Sequence, residues 1–365
     1  MSAASPATLR VAIAGAGIGV RYARSFQAIP GVEVAALRAA TPLRATPAAA
    51  ELGIGAVYTS VDAMLAEVAP DIVVVATPND LHRPHALAAI AAGAHVLCDK
   101  PLGLDAHEAN ALLAAAEARG VRHAIPFWLR FVPAVARARA LLAGGALGAP
   151  VFADVRFLNC GWGDPQGPMR WQFERARAGS GALANIGSHA IDALHWLAGD
   201  VVRLAAVTSI AVPERRRADG TLARPDAEDT AAFVGELANG APVSFLASSV
   251  AYAARSAITL AVHCRGGSVT ASIDSSEAGS SGRLSVMRRG DDAPRDEPLE
   301  PPPPAGALQD AAYAAIAREL VEAIRGGRPA SPGFADGARA QAVIDAALGA
   351  AGSGGWRAVA YAPAG

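Results

Sequence analysis

The chain has 365 residues, 52% of them hydrophobic, and a formal net charge of −1. That length gives two domains as the prior, the apolar content fills sizeable cores, and the near-zero charge excludes a field that gathers nucleic acid or an anionic membrane. The three cysteines, Cys98, Cys160 and Cys264, form no Cys-x-x-Cys and no disulfide framework, which points to a reducing cytoplasm.

The opening MSAASPATLR lacks the basic-then-apolar order of a secretory signal, and runs such as Ile72–Ala76 are far too short to span a bilayer. Strand-like runs at Leu9–Ala14, Val32–Leu37, Ile72–Ala76 and Ala94–Cys98 alternate with helix-like runs near 19–29, 61–69, 80–92 and 105–119. This βαβ rhythm predicts a parallel doubly wound sheet. The rhythm changes near Pro126, so the domains are placed at 1–125 and 126–365. One helix follows (132–143). Strands are then expected near 150–158, 203–211, 229–237, 242–250, 257–264, 267–273 and 282–288. Turns such as Asn239-Gly240 and Arg265-Gly266-Gly267 make that sheet open and mostly antiparallel. The polar, proline-rich stretch 289–306 reads as a surface loop, and helices at 308–325 and 335–349 with a short strand at Trp356–Tyr361 close the chain. The fold class is therefore α/β, a Rossmann-type unit followed by an α/β unit with a large sheet.

Gly15-Ala16-Gly17-Ile18-Gly19-Val20 follows the first strand. Gly15 and Gly17 fit the first two glycines of the dinucleotide fingerprint, while Gly19 comes one residue early for the third. An NAD site usually shows an acid after the second strand for the ribose diol, but here that strand ends in Arg38, with Thr41 and Arg44 nearby. Arg38 can hold a 2′-phosphate, which favours NADP(H) over NAD(H); a merely solvated arginine is the competing reading.

Lys100 is the only lysine, the other 31 of 32 basic residues being arginine, and it sits where a strand ends, in Cys98-Asp99-Lys100-Pro101. Ligands of open α/β sheets lie beyond the carboxyl ends of strands. A buried lysine can be pushed toward neutrality, whereas arginine keeps its proton. A site that exchanges a proton or reaches one hydroxyl with a point donor therefore uses lysine.

Four segments in order resemble the glucose–fructose oxidoreductase/inositol dehydrogenase (Gfo/Idh/MocA) family: GAGIG at 15–19, DIVVVATPNDLHRPHALAAIAAGAHVLCDKPL at 71–102, GSGALANIGSHAIDALHWLAG at 179–199, and PGFADGARAQAVIDAALGAAGSGGW at 332–356. To the loop residues Gly15, Gly17, Ile18 and Gly19, and to Arg38, read above from the residues, the resemblance adds Thr77, Pro78, Asn79, His82, Asp99 and Lys100 as a cofactor site, with Asp99 replacing the family's glutamate and bonding the nicotinamide ribose. It also implies a cis Lys100–Pro101 bond. Without the resemblance His82 reads as an ordinary helix-start residue, and His85 reads as a helix-surface histidine. In the second signature the family's aspartate and histidine fall at Asn185 and His189. Asn185 is a departure, because an amide positions a hydroxyl but takes no proton. Ser188 suits an N-cap, which puts His189 in a first helical turn where the dipole disfavours imidazolium. Asp192, on the same face, is a candidate to orient the ring or the sugar.

Aromatic residues crowd 127–173, and Trp162 and Trp171 flank a loop with Asp164, Gln166 and Arg170. Aromatic faces beside hydrogen-bonding groups suit a sugar, so Trp162 and Arg170 join Lys100, Asn185, His189 and Asp192 as substrate candidates; core packing is the competing reading. No ligand cluster for a metal is present in the sequence. The expected activity is NAD(P)-dependent hydride transfer at a secondary alcohol or ketone of a sugar, cyclitol or related polyol, with catalytic Lys100, His189 and Asn185. A hydrolase or lyase cycling a tightly held cofactor, and a non-catalytic cofactor-binding regulator, compete with it. Apolar positions on the second sheet exceed what the nearby helices cover, which predicts a homodimer or homotetramer and neither nucleic acid nor membrane as partner.

Overall fold

The computed structural model of the chain describes residues 8–252, 256–274, 281–299 and 308–362. Two compact units form, the first drawing on the chain up to Gly103, on His107–Pro126 and on Tyr313–Ala338, the second on Leu104–Ala106, Phe127–Ala312 and the chain from Arg339.

The first unit follows the order β1 (Leu9–Ala14), α1 (Gly19–Gln27), β2 (Val32–Arg38), α2 (Pro42–Leu52), β3 (Ala56–Tyr58), α3 (Val61–Val68), β4 (Ile72–Val75), α4 (His82–Ala91), β5 (His95–Cys98), α5 (Ala106–Arg119) and β6 (His123–Ala124). Its six strands lie β3-β2-β1-β4-β5-β6 and are all parallel. Every residue of β4 is buried, as expected of a strand covered on both faces. The strand order reverses between β1 and β4, and the crevice beyond the carboxyl ends at such a switch is where these sheets take ligands. Three elements, α2, β3 and β6, extend the predicted rhythm.

The second unit runs α6 (Pro133–Ala143), β7 (Pro150–Asn159), α7 (Arg175–Ala178), a π-helical segment Leu183–Gly187, α8 (Ser188–Ala198), β8 (Val201–Ser209), β9 (Arg215–Arg216), β10 (Leu222–Ala223), β11 (Thr230–Leu237), β12 (Pro242–Ser248), β13 (Ser256–Cys264), β14 (Gly267–Asp274), β15 (Arg283–Arg288) and β16 (Arg295–Asp296). The chain closes with α9 (Leu308–Arg325), α10 (Phe334–Ser353) and β17 (Arg357–Ala358). Nine strands form one sheet in the order β16-β15-β14-β13-β7-β12-β11-β8-β17, with β7 and β12 parallel and the other pairs antiparallel. The expected loop 289–306 thus contributes an edge strand, and its last part lies outside the described residues. The expected strand at Trp356–Tyr361 shrinks to two residues.

Helices α6 and α8 pack on one face of the large sheet. That face carries the period-two apolar pattern: Val155, Phe157, Phe233, Phe245, Ile258 and Leu260 are buried, and the rings of Phe233 and Phe245, paired in register, stack with centroids 4.4 Å apart. On the other face Val207 is 69% and Val234 55% exposed.

Candidate active site

In the first unit the glycine loop is shaped by three different demands. Gly15 has φ +129°, and a Cβ there would lie 2.1 Å from the Ala76 carbonyl oxygen, so the loop passes hard against the end of β4. A Cβ on Gly19 would lie 2.8 Å from Ile13 Cγ2, so this glycine lets α1 pack closely on β1, the work of the fingerprint's third glycine done one residue early. Around Gly17 nothing lies within 4 Å of a built Cβ. The protein itself does not need glycine at that point; a backbone that receives a pyrophosphate does. Ile18 opens α1 without a side-chain cap; the Val20 and Arg21 N–H groups turn back to the Gly17 and Ile18 carbonyls, and the positive end of the helix dipole faces the loop, which favours an anion there.

Across the switch point Thr77 is buried, and its Oγ1 has no hydrogen-bond partner among the described residues. A cradle open at Gly17 and an orphaned hydroxyl at Thr77 fit a dinucleotide. Pro78 and the buried Asn79 continue the same turn into α4. His82 is fully buried, and its ring nitrogens face two backbone carbonyls, Nδ1 that of Pro101 at 2.8 Å and Nε2 that of Thr77 at 2.9 Å. A neutral ring donates one of these bonds and only the imidazolium donates both, while burial pushes the pKa down. His82 thus ties the β4 turn to the β5 turn, and its nitrogens are engaged by the protein.

Asp99 and Lys100 follow β5. The Asp99 N–H donates to the Val75 carbonyl at 2.8 Å and the Lys100 N–H to Asp99 Oδ1 at 2.8 Å. The Lys100–Pro101 bond is cis. Burial pushes the half-buried Lys100 ammonium below its ordinary pKa, and Asp99 opposes that in smaller measure. Tyr22, buried in α1, faces the same carboxylate; burial first, then Asp99, hold its hydroxyl protonated well above the ordinary range. Nothing in the spacing of the sequence pointed to Tyr22. Arg38, at the end of β2, is half-buried and donates from Nε to the Thr59 carbonyl at 3.0 Å, just before the N-terminus of α2 at Thr41. His85 is half-buried, not a surface residue; burial first, then Arg38, push its pKa down to about 4.

In the second unit one continuous helical run carries Asn185 and His189. Gly187 and Ser188 both have α-helical backbone angles, and the Ser188 hydroxyl donates to the Ala184 carbonyl at 2.9 Å. Ser188 is therefore not an N-cap. The run begins at Ala182, and His189 stands in its second turn, so the dipole argument weakens. Asn185 is the one residue of 181–190 that is not buried. His189 is 4% exposed, its ring in T-shaped contact with Phe127 and Trp128 at centroid distances of 5.9 Å each. Asp192, expected near the sugar, is buried and accepts from Arg130 with both oxygens. Trp162 is 7% exposed and packs edge-on against Phe173 beside Ala182, so it forms a small core rather than an open platform, while Arg170 is exposed. Among the described residues no cluster of three or more His, Cys, Asp or Glu could hold a metal, and no helix is long and apolar enough to cross a membrane.

A glycine-loop Rossmann unit with a lysine at a strand's carboxyl end, joined to an α/β unit that carries its polar groups on one helix, is the plan of a nicotinamide-dependent oxidoreductase. The chain belongs to the GFO/IDH/MocA oxidoreductase family. Residues 9–127 match the model described as oxidoreductase family, NAD-binding Rossmann fold, and residues 135–270 match the GFO/IDH/MocA C-terminal domain. The chain is 32% identical over 312 residues, 79% of itself and 80% of the relative, to levoglucosan dehydrogenase from Pseudarthrobacter phenanthrenivorans. A solved levoglucosan dehydrogenase in complex with NADH and L-sorbose superposes with a TM-score of 0.90 at 28% identity, over 97% of this chain and 99% of that one. An aldose-aldose oxidoreductase from Caulobacter crescentus complexed with glycerol gives a TM-score of 0.79 at 28% identity, over 96% and 99%.

Proposed function

We propose that this dehydrogenase oxidises a secondary alcohol of a sugar, anhydrosugar or cyclitol, or reduces the matching ketone, with Lys100, His189 and Asn185 as its catalytic residues. The observation that carries the reading is Lys100 itself, the chain's single lysine, held beside Asp99 at the carboxyl end of β5 with its ammonium pushed toward neutrality. Relatives named for levoglucosan, and neighbours holding L-sorbose or glycerol, support the substrate class.

Gly15, Gly17, Ile18 and Gly19 would hold the pyrophosphate, Thr77, Pro78, Asn79 and Asp99 the nicotinamide end, with His82 fixing the turns beneath. Bound nicotinamide supplies a hydride acceptor at its C4. Lys100 donates a hydrogen bond to the reacting oxygen. His189 takes the hydroxyl proton, because Asn185 cannot, and Asn185 orients the hydroxyl. Arg38 tips the choice of cofactor toward NADP(H): no acid directly follows β2, and Arg38 ends that strand three residues before the N-cap of α2 at Thr41, the position from which a 2′-phosphate would be read. The exposed Val207 and Val234 support assembly into a symmetric dimer or tetramer through the large sheet, which light scattering at micromolar concentration tests.

The decisive experiment is a screen of the purified protein with NAD and NADP against sugars, anhydrosugars and cyclitols. Net cofactor reduction identifies the substrate. Tighter binding of NADPH than NADH, lost in Arg38→Ala, supports the Arg38 assignment; tighter NADH binding rejects it.

A further inference from the structure

Glu228 lies outside every residue assigned so far. It is 2% exposed, and its Oε1 accepts from Ser180 Oγ at 2.7 Å, the Gly181 N–H at 2.9 Å and the Leu183 N–H at 3.1 Å. Its own carbonyl accepts from the Ala182 N–H at 2.7 Å. A helix begins with N–H groups that have no partner inside it. Glu228 takes those of three consecutive positions, 181 to 183, at the head of the run that carries Asn185 and His189. A Cβ on Gly181 would lie 1.9 Å from the Glu228 carbonyl oxygen, so the approach requires glycine there.

What this clamp holds is the π-segment Leu183–Gly187. A π-turn is one residue wider than an α-turn and persists only where its surroundings impose it. A Cβ on Gly187 would lie 3.3 Å from the Ala182 carbonyl oxygen, the acceptor position of that wide turn, so the segment is crowded at this point as well. Downstream, α8 is fixed independently by the buried Arg130–Asp192 pair. If the head of the run is released, the π-segment relaxes toward an α-turn. The register upstream of α8 then slips by one residue, a rotation of about 100°. Asn185 turns with it, while His189, on the fixed part, does not.

We infer that Glu228 is a positioning residue for the reaction: it clamps the head of the helical run, preserves the π-segment and so sets the direction of Asn185. The inference rests on the proposed role of Asn185.

The test uses the full chain with the polyol substrate found by the screen. Glu228→Ala is expected to lower kcat by roughly 10- to 100-fold, since a displacement of this size at a substrate-orienting group costs that much. Its cofactor Kd stays within about twofold, and hydrogen exchange quickens at the amides of Leu183 to Gly187. Glu228→Gln presents an oxygen at the same place and keeps kcat within a fewfold. Glu228→Ala adds less than about twofold to Asn185→Ala but its full effect to His189→Ala. Where Glu228→Ala does not fold, Glu228→Asp, which withdraws the oxygen by one methylene, carries the same comparison. Wild-type kcat in a variant whose 183–187 amides exchange faster overturns the inference, as does full additivity with Asn185→Ala. A wild-type protein that reduces no nicotinamide with any polyol fails the dehydrogenase reading before any variant is made, and the inference falls with it.

Discussion

Arg130 holds Asp192 in a two-pronged buried ion pair, Nε to Oδ2 at 2.9 Å and Nη2 to Oδ1 at 2.6 Å. The Arg130 guanidinium also stands over the Trp196 ring, one turn along α8 from Asp192, at 5.5 Å. Removing one member leaves a buried charge without its counter-charge, which costs about 3–5 kcal/mol, whereas replacing both by apolar groups of similar volume is close to neutral. Asp192→Ala is therefore expected to lower the denaturant midpoint sharply, and Arg130→Met with Asp192→Leu to recover most of it. An Asp192→Ala protein of unchanged stability would return Asp192 to the list of substrate candidates.

The glycines of the phosphate loop separate folding from binding. Gly17→Ala meets nothing within 4 Å, so the variant should melt with the wild type while its cofactor Kd rises roughly tenfold or more, because the methyl occupies the pyrophosphate's approach. Gly15→Ala collides with the Ala76 carbonyl at φ +129° and should lose stability with or without cofactor. Thermal melts paired with fluorescence titration distinguish the two.

Much of this was legible in advance. Apart from β3, β6 and β16, the strands of the two sheets stand near the expected positions, because buried apolar runs in the first sheet and period-two patterning with turns such as Asn239-Gly240 or Arg265-Gly266 in the second leave few alternatives. Helix α2 was not legible: Pro47 lies inside it, and its buried face, Ala45, Ala49 and Leu52, is mostly alanine in an alanine-rich chain. The head of the helical run that carries Asn185 and His189 was misread at Ser188, since a serine that donates to the carbonyl four residues back looks in sequence like one that caps. The true cap, Glu228, is 45 residues away from Leu183 along the chain, and no local pattern reports such a partner. Trp162 illustrates the same limit, because an aromatic beside polar residues reads as a platform until burial shows it packed on Phe173.

Two half-buried histidines make the fold sensitive to acid. Burial pushes His195 to about 3 and His85 to about 4, below the 6.5 of a free imidazole. In that window the unfolded chain binds more protons than the folded one, so stability rises with pH and is lost as pH falls from about 6.5 toward 3. His195 Nε2 lies 3.3 Å from the Tyr361 hydroxyl, which itself donates to the Val201 carbonyl at 2.8 Å. His195→Phe should lose that contact yet flatten the acid slope. Urea unfolding at a series of pH values measures this, and an unchanged slope would contradict it.

Lys100 gives the sharpest prediction on turnover. Lys100→Met should lower kcat by at least about 100-fold and leave cofactor affinity within a fewfold. Lys100→Arg should fail similarly, since a guanidinium cannot act as a compact donor or approach neutrality. Because burial lowers the Lys100 pKa, the fall of activity at high pH should begin below the range of a free lysine and vanish in the residual activity of Lys100→Met.

The most direct measurement is the appearance of reduced nicotinamide when the purified protein meets its polyol, run beside the same polyol deuterated at the reacting carbon. Net reduction, equal to the polyol consumed and slowed by a primary isotope effect under single-turnover conditions, is the predicted result. Consumption of polyol with no net change in the cofactor's reduced-form absorbance would contradict it, and would point to an enzyme that oxidises and re-reduces its substrate within one cycle.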